Sequence, residues 1–172
     1  MPVPDPVPFP EPRHDTADPG VLVASYLDFF RRTAERKVVA LPPEHRRTSH
    51  LPSGWSPLEL LSHLAHMERR WLVWGFLGEQ VAEPWGEVRD GRWHVGARED
   101  LQDVLDLLHE VAGRTTSLLE AHAQDEQAVP GPRFEGEPPT LASICFHVLQ
   151  EYARHVGQLD VAVELVGGVL GE

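Results

Sequence analysis

The run Ser53-Gly54-Trp55-Ser56-Pro57-Leu58-Glu59-Leu60-Leu61-Ser62-His63-Leu64-Ala65-His66-Met67-Glu68 decides the fold class. Ser56 with Glu59 three residues later is a capping box, in which each side chain satisfies a backbone N–H at a helix start. Pro57 falls at the first helical position, where its fixed φ is already correct and no N–H is missed. Leu60, Leu64, Met67, Trp71 and Trp74 then recur every three or four residues, the apolar stripe of a helix packed on one side, and Gly78 predicts the stop.

Three more segments carry the same signal. Upstream, Asp18-Pro19 opens a helix whose stripe is Val23, Leu27, Phe30, Ala34, Val38 and Leu41, ended by Pro42-Pro43. Downstream, Asp100 opens a helix burying Leu101, Leu105, Leu108, Val111/Ala112, Thr115 and Leu118/Leu119. Thr140 opens the last, expected to run to Gly167-Gly168 and to bury Leu141, Ile144, Val148, Tyr152, Leu159 and Val163. Four amphipathic helices without a sustained alternating pattern predict an all-α protein, a four-helix bundle. The connections at about 42–55, 78–99 and 123–139 are long for a simple up-down bundle, so they are expected to cross it or to wall a site. Within residues 83–97, Asp90-Gly91 predicts a short hairpin.

Residues 1–20 precede the bundle as an extended arm, with prolines at alternate positions from Pro2 to Pro12, and residues 21–172 form the domain. The whole chain has 172 residues, 41% of them apolar, enough for one core. Its net charge of −12 repels phosphate backbones, and no basic run offsets it, which argues against nucleic-acid binding. A single cysteine, Cys145, excludes an internal disulfide framework and reads as a small core residue. No apolar run approaches a membrane span and the start has no signal-peptide pattern, so the expectation is a cytoplasmic protein with no membrane partner.

Polar residues that fall on core stripes carry the chemistry. With Val148 at zero and 100° per residue, His155 lies at about −20°, inside the stripe, and Glu151 at about −60°, on its edge. With Leu60 at zero, His63 lies at about −60° and His66 at about −120°. An imidazole and a carboxylate one turn apart at a core face are costly to bury without partners. A divalent cation would satisfy both, with a third ligand from a facing helix. A plain Glu151–His155 ion pair satisfies them as well, and His147, one turn before Glu151, is a rival ligand or a supporting group. Trp55, Trp71, Trp74, Trp85 and Trp93 either pack the bundle end or line a pocket mouth. No protein nucleophile stands out: the chain has no Gly-x-Ser-x-Gly, no Cys/His pair and no phosphate-binding Gly loop.

The stretch from Ser53 to Glu68, with Trp71 after it, resembles the second-helix signature of the DinB/YfiT-like superfamily, and more narrowly its DUF664-like branch. The later stretch agrees: Thr140-Leu141 opens a helix that holds His147 and then Glu151-Tyr152-Ala153-Arg154-His155-Val156-Gly157-Gln158-Leu159-Asp160. The resemblance spans about residues 21–167. It implies an up-down-down-up bundle and a metal held by His63, Glu151 and His155, with glutamate at a position where many members have histidine, as in mycothiol-dependent isomerase relatives. Gln158 stands where that branch often has a second histidine. The implied metal is zinc first, with nickel, iron or manganese as the other candidates. The implied chemistry is transfer or isomerisation that uses mycothiol, bacillithiol or another low-molecular-weight thiol on an electrophilic substrate, in a homodimer. A metal-dependent hydrolase and a non-enzymatic metal-binding stress protein are the competing readings.

Overall fold

A computed structural model describes residues 3, 5, 8, 9 and 15–168. The rest of the proline-rich arm and residues 169–172 lie outside the described residues. Each long helix begins where its cap was expected. In α1 (Pro19–Ala40) the Asp18 carboxylate accepts from the N–H groups of Gly20 and Val21. After a short helix α2 (Pro43–Arg46), α3 (Pro57–Arg69) starts with the Ser56/Glu59 capping box fully formed. Asp100 and Asp103 make a second capping box at α4 (Leu101–Ala121), and the Thr140 hydroxyl caps α5 (Leu141–Glu164). The last helix stops three residues short of the expected glycine pair. Gly167 adopts φ +69°, and the N–H of Gly168 returns to the carbonyl of Val163.

The second helix departs from expectation after Arg69. Residues Arg70–Phe76 continue it as a π-helix, with the Leu77 N–H bonded to the Leu72 carbonyl five residues back. Widening the helix by one residue per turn changes which side chains reach the core. Trp71 and Trp74, expected on the core stripe, are only half-buried, while Arg70, Leu72, Val73 and Phe76 go inside. Gly78, at φ +67°, ends the segment as expected.

The core is continuous across α1, α3, α4 and α5, from Val23 and Leu27 through Leu60, Leu64 and Leu105 to Val148, Leu159 and Val163. Helix α1 packs most extensively on α5, and α3 packs on both α4 and α5. Cys145 is buried in that core, as expected.

The three long connections fold back onto one region. The middle one carries the expected hairpin, β1 (Glu87–Arg89) paired antiparallel with β2 (Arg92–His94), with Asp90 and Gly91 both at positive φ in the turn. Glu59 of the α3 capping box also takes His94 Nδ1 at 3.1 Å, so the group that starts the helix also moors the hairpin. Gly86, at φ +60°, lies so close to the His66 ring that a Cβ there would sit 3.0 Å from it. The last connection is held by the Val129 N–H on the Phe76 carbonyl, at 2.9 Å.

Candidate metal centre

His63 projects from α3 toward α5, where Glu151 and His155 stand one turn apart. One ligand atom from each of the three lies within 4.8 Å of the others. Glu151 Oε2 is 3.4 Å from His155 Nε2 and 3.7 Å from His63 Nε2, and the two imidazole centroids are 4.7 Å apart.

The residues fit a cation better than they fit one another. His63 is 6% exposed, and neither of its ring nitrogens has a hydrogen-bond partner. Leaving such groups unpaired costs free energy, so an orphaned buried imidazole calls for an explanation. His155 Nδ1 lies 3.1 Å from Gln158 Oε1, and the Gln158 amide nitrogen donates in turn to Ser53 Oγ. The network assigns the His155 proton to Nδ1, donating to Gln158, and leaves a lone pair on Nε2. That lone pair, a Glu151 oxygen and a His63 ring nitrogen converge within 4.8 Å of one another.

Charge points the same way. Burial pushes the His63 pKa down to about 3, with the neighbouring His155, Arg70 and His66 adding to the effect. A neutral imidazole is the form that ligates a metal. It is not the form that makes an ion pair with Glu151.

The walls come from all three long connections. Trp55 from the first has its ring 5.4 Å from that of His63, and Trp93 from the hairpin is 5.0 Å away on centroids. Trp85 lies 6.0 Å from Trp93, and Arg70 stacks over both, at 4.4 and 5.0 Å. From the third connection, Arg133 stacks over Trp71 at 4.3 Å, and the His147 ring lies 4.0 Å from that of Trp71 on centroids. The tryptophans therefore divide between the two expectations: Trp55 and Trp93 face the cluster, and Trp74 packs against Trp85 outside it.

His66 stays out of the cluster, as its helical angle predicts. Its Nδ1 faces Arg69, and Gly86 packs against its ring. His147 stands beside the site without joining the three, and burial lowers its pKa. Cys145 is no nucleophile, since burial pushes its thiol up to about 12.

Three contributors had no role at the site assigned from the sequence, where Arg70 reads as a surface ion pair or a ligand-carboxylate partner and Gln158 only as a replaced histidine. Gln158 and Arg70 both had a signal: on their helical wheels each falls at about −80°, beside Glu151 and His63 respectively. Arg133 sits in an aperiodic connection and had none.

Compared with known proteins, residues 22–168 match the mycothiol-S-transferase family. No curated protein matches the sequence. Among solved structures, a DinB-like protein from Bacillus cereus superimposes with a TM-score of 0.60 at 15% identity, covering 86% of this chain and 95% of that one. At that identity the likeness speaks for the fold alone. Matched over nearly all its bundle, the chain belongs to the mycothiol-S-transferase family, within the DinB/YfiT-like superfamily.

Proposed function

We propose that the protein is a divalent-metal-dependent S-transferase or isomerase that uses a low-molecular-weight thiol of the mycothiol or bacillithiol type on an electrophilic substrate. The observation that carries this reading is the orphaned His63 imidazole facing Glu151 and His155. These three residues would hold the ion, zinc first by their chemistry, since two imidazoles and one carboxylate suit it and leave positions open. A divalent ion held there supplies the positive charge that lowers the pKa of a thiol or water at neutral pH.

The remaining work falls to the chain itself. Gln158 fixes the tautomer and the angle of His155 through its Oε1, and Ser53 fixes Gln158. Trp55 and Trp93 exclude water from the His63 side, which strengthens electrostatic interactions inside. We read the bundle as up-down-down-up; α1 packs mainly on α5 and α4 and α3 packs on α4 and α5, which leaves α1 diagonal to α3 and α4 diagonal to α5. That order is what allows α3 and α5 to share one site.

Residues 1–20 are read as an arm separate from the bundle, although Phe9 already packs on Phe29 of α1, with ring centroids 5.1 Å apart. A homodimer in the cytoplasm completes the reading. No helix among the described residues is long and apolar enough to cross a membrane. Light scattering at micromolar concentration should give twice the chain mass, and a monomer would remove the dimer from the proposal.

The function itself is tested on protein purified without chelator or a nickel column. Metal analysis should find a stoichiometric divalent ion. Conjugation of a bimane electrophile should require both that ion and a mycothiol-type thiol. Turnover that is metal-dependent but indifferent to thiol would favour the hydrolase instead.

A further inference from the structure

Among the described residues, buried cations are paired, with one exception. Arg31 has Glu68, and Lys37 has Asp160 at 2.5 Å. Arg70 is 5% exposed and, among the described residues, has no carboxylate within salt-bridge distance. Its one hydrogen bond is a long 3.4 Å contact from Nη1 to the Pro84 carbonyl, and its Nε is unpaired. Nearby, Arg133 makes no hydrogen bond or ion pair among the described residues, and its Nε is buried without a partner. Both guanidinium groups stack on the same indole, that of Trp85, at 4.4 and 5.5 Å from its centroid.

Two like charges brought together and partly desolvated are costly unless an anion joins them. Stacking engages the faces of a guanidinium and leaves its N–H edge free, the edge that takes a carboxylate in a two-pronged hydrogen bond. The pair is also close to the candidate metal centre, since Trp93 touches both Arg70 and His63. In a chain of net charge −12, this is a local reversal of sign at a place where a ligand would need it.

We propose that Arg70 and Arg133, stacked on Trp85, form a subsite for the carboxylate of an organic anion that binds beside His63, Glu151 and His155. The anion is a group on either the thiol or the electrophile, and in that respect the proposal rests on the function proposed above. Burial and the neighbouring Arg133 push the Arg70 pKa down to about 10, opposed by Glu151, so the group still carries its charge at neutral pH. Burial lowers Arg133 in the same direction.

The test uses full-length protein stripped of metal with EDTA, so that its result does not depend on metal loading or on turnover. Calorimetry and tryptophan fluorescence follow the binding of two probe pairs: N-acetylcysteine against its neutral amide, and succinate against succinamide. In at least one pair the acid should bind about tenfold or more tightly than the amide, the scale of one well-made charge-assisted pair. Preference in the first pair alone assigns the carboxylate to the thiol, and preference in the second assigns it to the other substrate. Arg133→Gln, on a half-exposed loop residue, should abolish the preference while leaving the far-UV CD spectrum unchanged, and Arg70→Gln should do the same if it folds. Equal binding of acid and amide in both pairs overturns the proposal. So does a preference that survives Arg133→Gln but disappears in His63→Ala, because the carboxylate would then be bound by the cluster itself.

Discussion

Two buried polar clusters lie on opposite sides of the second helix, and they are built on opposite rules. Around Glu68 every demand is met. Its carboxylate is fully buried and accepts from Arg31 Nε at 2.9 Å and from Tyr152 Oη at 2.7 Å, with Arg31 Nη2 and the Thr115 hydroxyl completing the set. Those partners come from α1, α5 and α4, so one carboxylate ties all four long helices together. Burial and the adjacent Glu68 raise the Tyr152 pKa well above its usual value and keep the phenol a donor. Around His63 the demands are left open: two unpaired ring nitrogens and a carboxylate oxygen 3.7 Å away. A buried charge that is fully satisfied holds a fold together, and a buried polar group left unsatisfied holds a place for something else.

The largest effect is expected from breaking the satisfied side. Glu68→Ala strands the Arg31 guanidinium in the core, and removing one partner of a buried pair costs about 3–5 kcal/mol. Urea denaturation should show that loss. Adding Arg31→Met should recover a good part of it, because the orphaned charge is then gone. A Glu68→Ala variant as stable as the parent would mean that the two clusters do not differ as described.

On the open side the expected loss is of ligand rather than of fold. His155→Ala should bring metal content to background while the melting temperature of the metal-free protein changes little. His66→Ala should keep its metal, since that ring faces Arg69 and Gly86 instead of the cluster. Metal analysis of the two variants side by side checks both halves, and metal loss in His66→Ala alone would move the α3 ligand from His63 to His66.

The two clusters also differ in how far they were legible beforehand. His63, Glu151 and His155 could be found because each sits on a regular helix at a readable angle, where a polar residue on an apolar face stands out. The caps at Asp18, Ser56, Asp100 and Thr140 were legible for a similar reason, as each is a local arrangement complete within four residues. Glu68 looked like an ordinary neighbour of Arg69 and Arg70, because its true partner, Arg31, lies 37 positions away on another helix. The π-helical stretch from Arg70 to Phe76 was not legible either. Its register depends on packing, and the same residues read equally well as α-helix, which put Trp71 and Trp74 inside and left Arg70 among the surface ion pairs. The Trp93 and Arg133 contacts needed the long connections to be placed, and aperiodic sequence does not place itself.

Acid should separate the open cluster from a plain ion pair. The folded pKa of His63 is lowered to about 3 against an unfolded value near 6.5, and that of His66 is lowered to about 4. Between those limits the unfolded chain binds protons that the folded one refuses, so stability falls as pH drops from about 6.5 toward 3. An ion pair with Glu151 has the opposite sign: it would raise the histidine pKa and make the protein more stable on entering that range. In a chelator, melting temperature should decline from pH 7 to pH 4, and His63→Phe should decline less steeply. A curve that rises toward pH 6 would favour the ion pair.

The smallest expected effect is also the most local. Gln158 touches no candidate ligand atom directly; its Oε1 meets only the far nitrogen of His155, and its amide is anchored on Ser53 across to the first long connection. If that contact selects the tautomer that leaves Nε2 free, Gln158→Leu should weaken metal binding without abolishing it, by about tenfold, the lower end of what such supporting groups contribute. Glutamate at 158 offers the same acceptor with added charge and should restore affinity. Alanine at Ser53 should have a fainter effect, because Gln158 keeps its bond to His155. Competition against a chromophoric zinc chelator measures all three variants. Equal affinity in Gln158→Leu and the parent would show that His155 is held by the helix alone, and the open cluster would then be simpler than the geometry implies.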